Sequence, residues 1–210
     1  RFSGCERNRR RNWRKRSHHY AGVTRSATVI ETFDVKPSAS TVARSNGSPN
    51  STYPNGNSST PRIGWRNVTA DAYYYHYFFT FDFSEFVDRR VTQNNLISAK
   101  FIISSVSGSH GLTSAFYRVL RNITNSLNWQ TYNGTNAWSV AGGTGNGSDR
   151  SSSPLMTMTE SRAYELVIDS PTLFSIYNDG WKFGIYTTSS KPQYDNYANL
   201  TYNNTVIRIV

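Results

Sequence analysis

The chain has 210 residues, of which 37% are hydrophobic and only 17% are charged. This length is sufficient for one well-packed domain. A membrane partner is not expected, because no apolar run approaches the roughly 20 residues that span a bilayer. The single cysteine, Cys5, cannot form an internal disulfide, which excludes a disulfide-based scaffold.

The positive charge is concentrated at the start of the chain. Residues 1–25 hold nine Lys and Arg residues against one Glu, a net charge of +8, whereas the remaining chain holds 14 against 12, a net charge of +2. Because blocks of like charge repel and are often interaction tails, we predict a basic N-terminal arm at residues 1–25 and a folded domain at residues 26–210. The arm residues expected to bind a partner are Arg7, Arg9, Arg10, Arg11, Trp13, Arg14, Lys15 and Arg16.

The chemistry of the arm allows two classes of partner. Arginine forms bidentate hydrogen bonds with carboxylates and with phosphates, and the interleaved aromatic rings can stack on bases or pack on a protein. We favour another protein of an assembly over nucleic acid, and a merely solubilising tail remains an alternative.

The folded domain begins with short strands and polar turns. Residues 27–35 are predicted to form the first strand, which ends at Lys36 and Pro37. Residues 38–61 contain several turn signals and are predicted to form a long polar loop. Residues 62–68 then form a candidate short strand.

Residues 73–83 are a strand candidate made almost entirely of aromatic residues. At a period of two, one face is entirely aromatic and the other is mixed, and aromatic residues favour strands. We therefore predict a central strand of an antiparallel sheet, with its aromatic face in the core. That face consists of Tyr73, Tyr75, Tyr77, Phe79, Phe81 and Phe83.

The rest of the chain continues the strand pattern. Strands are predicted at residues 96–106, 113–120, 163–169, 181–187 and 205–210, whereas residues 84–95 form a polar connection, residues 121–154 an irregular excursion, and residues 171–177 a short helix or strand. About eight strands at this spacing indicate an all-β fold, an antiparallel β-sandwich or jelly roll. We expect a shared core of Phe79, Phe81, Phe101, Ile103 and Tyr117.

Several segments, taken in order, resemble the DNRLRE-type β-sandwich modules. They are residues 77–84 (YFFTFDFS), 97–103 (ISAKFII), 117–120 (YRVL), Asn128-Trp129, Ala137-Trp138, Gly142-Gly143, Asp149 and 179–185 (DGWKFGI). The resemblance covers residues 27–210 and excludes the arm. It implies a jelly-roll module of secreted bacterial and phage structural proteins, often carbohydrate-binding or adhesive and not itself catalytic.

No catalytic constellation is evident, and we expect a protein without enzymatic activity or cofactor. Two of the four histidines lie in the arm, His76 lies in the central strand, and His110 lies in a Gly-Ser loop without an acidic neighbour. Cys5 has no positioned base. The spacing of Asp82, Glu85 and Asp88 does not show two acids that face one bond.

Two further ligand classes deserve weighing. Residues 146–149 (NGSD) and Asp195-Asn196 are oxygen-rich turns, but they supply too few ligands for calcium, so no metal site is predicted. Trp129 and Trp138 lie in an Asn-rich excursion and are candidate carbohydrate-binding residues, although tryptophan is usually mostly buried.

These observations leave two functional hypotheses. The first is a virion structural protein, of the capsid-associated, decoration or fibre type, that is anchored to other virion or assembly proteins through its arm. The alternative is a carbohydrate-binding or adhesive surface module. Either would be located in a virion or outside the cell, and a homo-oligomer is compatible with both.

Overall fold

The computed structural model describes residues 30–45, 52–54, 62–68, 71–108, 113–159, 163–188 and 196–210. The strands lie in one compact unit, Glu31–Val210. The predicted arm and its boundary with the folded domain lie outside the described residues and stay predictions.

Within the described residues the fold consists of eleven strands and two short helices. In chain order they are β1 (Phe33–Val35), β2 (Pro37–Arg44), β3 (Thr52–Pro54), β4 (Arg62–Val68), β5 (Asp71–Phe81), α1 (Ser84–Asp88), β6 (Ala99–Gly108), β7 (Thr113–Val119), β8 (Met156–Thr159), β9 (Tyr164–Ile168), α2 (Ser170–Asp179), β10 (Lys182–Thr187) and β11 (Asn196–Ile209).

The strands form two antiparallel sheets, which confirms the predicted all-β sandwich. Sheet I has the order β3-β2-β5-β10-β7-β8. In sheet II one edge of the long strand β11 pairs with β6, and β6 pairs in turn with β9. The other edge of β11 pairs with β1 and with β4. Strand β4 also pairs with β5, so the two sheets are joined along this side by a shared strand.

The core between the sheets is largely aromatic. Phe79 of β5 is 1% exposed and lies 5.8 Å from Phe183 of sheet I, measured between ring centroids. Phe101 of sheet II meets the ring of Phe116 edge-on at 5.0 Å. Because rings of both sheets interlock in this way, each aromatic residue contributes both buried area and a preferred ring geometry.

The predicted core is correct for four of its five members and wrong for Tyr117. Phe79, Phe101 and Ile103 are buried between the sheets. Phe81, at the last position of β5, is partly buried and packs against the same core, 5.9 Å from Phe101 and 5.5 Å from Phe183 between ring centroids. Tyr117 is buried in a separate cluster on the outer face of sheet I, since β7 directs Phe116 towards the other sheet and its neighbours in the opposite direction.

The predicted number of about eight strands is too low. The predicted loop at residues 38–61 contains β2 and β3, and β8 was not expected. The last strand begins at Asn196 rather than at residue 205. The ambiguous segment at residues 171–177 is helical, and Asp169 caps α2 by accepting a hydrogen bond from the backbone N–H of Thr172.

On the side of the sandwich opposite β4, a tyrosine connects the edge strands of the two sheets. Strand β8 is the edge of sheet I and β9 is the edge of sheet II. The hydroxyl of Tyr164, on β9, hydrogen-bonds to both the backbone N–H and the carbonyl of Thr159, at the end of β8. It thereby satisfies backbone groups that an edge strand would otherwise expose.

Candidate functional site: a cap on the outer face of sheet I

The irregular excursion folds as a cap on the outer face of sheet I. We call residues 120–155 the cap. Its apolar residues pack on Ala43, Phe78, Ala115, Tyr117, Val119 and Tyr186, which belong to β2, β5, β7 and β10; the cap residues of this second cluster are Ile123, Leu127, Trp129, Tyr132 and Trp138. The central strands of sheet I, β5, β7 and β10, are therefore covered on both faces and contain runs of consecutive buried residues.

The two candidate carbohydrate-binding tryptophans occupy different positions in the cap. Trp138 is 5% exposed, stacks on Phe78 at 5.4 Å and donates its indole N–H to the carbonyl of Asn128 at 2.9 Å. A sugar could not stack on Trp138 unless the cap opened. Trp129 lies 4.8 Å from the ring of His76, measured between ring centroids. It is only half-buried and therefore keeps some exposed surface.

The cap is organised around the carboxylate of Asp149, which is fully buried. One oxygen accepts hydrogen bonds from the N–H of Ser139 at 2.9 Å and from Nε of Arg121 at 3.1 Å. The other accepts hydrogen bonds from the N–H groups of Val140 at 3.0 Å and Gly145 at 3.2 Å. Four donors thus converge on one side chain and join three segments of the cap.

Three of these four donors explain the protonation state of Asp149. Burial alone would raise the pKa of this carboxyl group, but the hydrogen bonds from Ser139, Val140 and Arg121 outweigh it and hold the pKa below its ordinary value. A carboxylate surrounded by donors has no oxygen lone pairs directed at a cation. Asp149 is therefore part of the cap's internal structure, and its oxygens are occupied by hydrogen bonds from the cap.

His76 lies under the centre of the cap. It is 3% exposed, and its Nδ1 donates a hydrogen bond to the carbonyl of Gly142 at 2.9 Å. Its ring lies 4.8 Å from that of Tyr186. The pKa of His76 is lowered to about 4, mainly by burial and to a smaller extent by the nearby cation of Arg150, whereas the Gly142 hydrogen bond acts in the opposite direction.

Arg150 covers two of the tyrosines beneath the cap. Its guanidinium carbon lies 3.9 Å from the ring centroid of Tyr117 and 4.8 Å from that of Tyr186, distances typical of cation–π contacts. Burial raises the pKa of the Tyr186 phenol, so this residue stays neutral at any physiological pH. The group formed by His76, Tyr186 and Arg150 thus links β5, β10 and the cap.

The other sequence-level candidates are not brought together. Asp82 caps the backbone N–H of Ser84, and Glu85 forms an ion pair with Arg89. Among the described residues, no group of three or more His, Cys, Asp and Glu side chains could hold a metal ion. Cys5, His18, His19, His110, Asp195 and all the partner-binding residues of the arm lie outside the described residues.

The sequence contained a partial signal for the cap. The Gly142-Gly143 pair lies where the cap backbone approaches two tryptophan rings, and both glycines have positive φ angles of 77° and 73°. A Cβ on Gly142 would lie 2.7 Å from the ring of Trp129. The convergence of donors on Asp149 had no such signal, because its partners are separated in sequence and are mostly backbone N–H groups.

Substitution of Gly142 should reveal how tightly the cap is packed. Gly142→Ala is expected to lower the free energy of unfolding through its positive φ and also through overlap with Trp129, by about 2 kcal/mol more than a change that affects φ alone. Gly147→Ala is the matched control, because Gly147 has a φ of 71° but its nearest neighbour would lie 3.5 Å from the new Cβ. Equal losses for the two variants, measured by urea denaturation, would contradict the close contact.

Neither helix in the described part of the chain has the length or apolar character needed to cross a bilayer.

Comparison with known proteins finds no family model that matches the chain and no curated protein with significant similarity to it. The resemblance to the DNRLRE-type modules therefore stays a prediction from the residues that suggest it, and the family of the chain is not assigned.

Proposed function

We propose that this protein is a non-enzymatic structural component of a virion, of the capsid-associated, decoration or fibre type, and that its basic arm anchors it. The observation that carries the proposal is the separation of charge, +8 in residues 1–25 against +2 in the rest of the chain. The jelly roll is a recurrent architecture of capsid proteins. Fold alone does not assign function, so the arm supplies the independent argument.

The carboxylates of the sandwich support an external partner for the arm. Five of the twelve acidic residues in residues 26–210 are already paired with basic residues of the sandwich itself, and the net charge of these residues is +2, so they do not carry the excess negative charge that would balance the arm. These ion pairs are Glu31–Arg89, Glu85–Arg89, Lys100–Glu165, Arg121–Asp149 and Arg208–Asp34. Because like charges within the arm repel each other, we expect the compensating carboxylates or phosphates to come from another molecule.

The alternative function, a carbohydrate-binding or adhesive module, now depends on Trp129 alone. Trp138 is inside the cap, whereas Trp129 keeps exposed surface next to the exposed Gln130. A single half-buried ring makes a smaller stacking platform than a pair of exposed rings. We therefore favour the structural function and keep glycan binding as the second hypothesis.

Deletion of residues 1–25 tests the proposal. The truncated protein should retain the circular dichroism spectrum and thermal transition of the sandwich, but it should be missing from purified particles assembled in cells that express it. The matched control keeps the arm length and replaces its basic residues by Gln, at Arg7, Arg9, Arg10, Arg11, Arg14, Lys15 and Arg16. If both variants are missing from the particles, the positive charge of the arm is required for incorporation. Normal incorporation of the truncated protein would overturn the proposal.

Salt dependence separates the two partner classes. If the arm binds nucleic acid, the affinity of the full-length protein for a DNA duplex should fall with salt at a log–log slope near −0.9 per phosphate contact. If the arm binds a protein, we expect specific ion pairs and a shallower slope for particle association. An intact protein that binds glycans and joins no particle would favour the alternative function.

A further inference from the structure

The sandwich contains two hydrophobic cores that can be separated. The first lies between the two sheets and includes residues of both. The second lies between sheet I and the cap and shares no buried residue with the first. Loss of the second core would leave the contacts between the sheets in place, so the cap can open without unfolding of the sandwich.

The cap is held together mainly by its own contacts. Asp149 joins three of its segments, and Trp138 hydrogen-bonds to Asn128 within it. Two backbone bonds from its C-terminal end reach β7, from Ser151 N–H to the carbonyl of Arg118 and from Leu155 N–H to the carbonyl of Phe116. These bonds tether one end of the cap to β7, whereas its middle is held to the sheet by side-chain packing and by one hydrogen bond to His76.

The hydrogen bond from His76 fastens the middle of the cap to the sheet. Its acceptor, the Gly142 carbonyl, belongs to a backbone segment packed against Trp129, and the Gly142 N–H donates to the Trp129 carbonyl at 2.6 Å. The titratable and charged groups that act on His76 are Tyr186 from β10, which is in ring contact with it, and Arg150 from the cap. Tyr117 from β7 and Asp149 from the cap interact in turn with Tyr186. Strand β2 presents the apolar Ala43 beside it.

We propose that the cap is an acid-sensitive lid, which opens when His76 is protonated and exposes the apolar outer face of sheet I. A protonated imidazole would be a buried cation close to the Arg150 cation, and both the missing solvation and the repulsion oppose this state. Opening restores water to the ring. Tyr186, the titratable side chain in ring contact with His76, remains neutral and so does not compensate the new charge.

The size of the effect follows from the two protonation equilibria. The pKa of His76 is about 4 in the closed state, and an exposed histidine titrates near 6.5. The folded pKa is lowered, so the closed state loses stability as the pH falls from about 6.5 towards 4. Linkage then raises the equilibrium constant for opening by roughly 20-fold between pH 7 and pH 5.

Two buried alanines provide a matched pair of reporter sites. Ala115 lies under the cap and Ala99 lies between the sheets, and each is 2% exposed. In a Cys5→Ser background, Ala115→Cys and Ala99→Cys would be labelled with 4,4′-dithiodipyridine at pH 7, 6 and 5. Each rate is divided by that of a short cysteine peptide under the same conditions, which removes the intrinsic pH dependence of the thiol.

The expected result is a roughly 20-fold increase in relative labelling for Ala115→Cys between pH 7 and pH 5 and no increase for Ala99→Cys. Adding His76→Asn, which keeps an N–H donor near Gly142 and does not titrate, should abolish the increase. A pH-independent rate at Ala115→Cys, an equal increase at both sites, or an increase that persists with His76→Asn would each overturn the proposal. The first two outcomes need no His76 variant, so the test stands even if His76→Asn does not fold.

Discussion

Phe79→Ala is expected to lower the free energy of unfolding by about 3–5 kcal/mol, the usual cost of truncating a fully buried aromatic residue. Phe79 lies at the centre of the core between the sheets, where it contacts Tyr77, Phe116 and Phe183. Strand β5 pairs with three other strands, so the surrounding backbone has little freedom to collapse into the cavity. Urea denaturation followed by circular dichroism would measure the loss.

Phe81→Ala is the matched control for this prediction. It removes the same side chain from the same strand face two residues later, where the ring is only half-buried. The loss of stability should therefore be clearly smaller than for Phe79→Ala. A larger loss for Phe81→Ala would mean that the aromatic face of β5 is shifted along the core by one pair of residues.

Asp149→Ala is expected to cost about 3 kcal/mol, because it leaves three backbone N–H groups, one buried and two part-buried, without their acceptor. The N–H groups belong to Ser139, Val140 and Gly145. Tryptophan fluorescence is a suitable probe, since Trp129 and Trp138 both lie in the cap. The fluorescence transition should move to lower urea concentration more than the circular dichroism transition of the sheets.

Asp149→Asn isolates the charge, because the amide keeps the shape of the carboxylate and loses one acceptor oxygen. The carboxyl pKa is lowered in the folded state, so its stabilisation is present above the ordinary carboxyl pKa of about 4 and is lost as the pH falls below it. The difference between Asp149→Asn and the unmodified protein should therefore be larger at pH 7 than at pH 3. Equal stabilities at pH 7 would show that the ionised carboxylate does not organise the cap.

The strands that could be predicted are those whose own residues are hydrophobic at a period of two. Strand β5 and strand β7 met this condition, and both were located within two residues. Strand β2 (PSASTVAR) did not, because small and polar residues fill it. It is a strand because β5 supplies the neighbouring edge, and Ser40 and Thr41 are buried there by tertiary packing rather than by their own hydrophobicity.

The same distinction applies to the cap. The composition of residues 121–154 indicated an irregular excursion. Because tryptophan is usually mostly buried, the buried position of Trp138 could also be expected. The mixed face of β5 gave no indication that His76 and Phe78 would be covered, since that depends on where a segment 50 residues later returns to the sheet. Long-range contacts of this kind depend on the whole topology and are not encoded in any local pattern.

The pairing of β1 with β11 determines when the sandwich can form. Phe33 is opposite Ile209 in this ladder, so one edge of sheet II joins parts of the chain that are made at very different times on the ribosome. Contacts this distant in sequence make folding slow, because the long intervening loop must be closed before they form. Until β11 has left the ribosome, β1 and β6 each lack a strand neighbour, and a nascent chain at that stage would depend on chaperones to keep its strand edges apart.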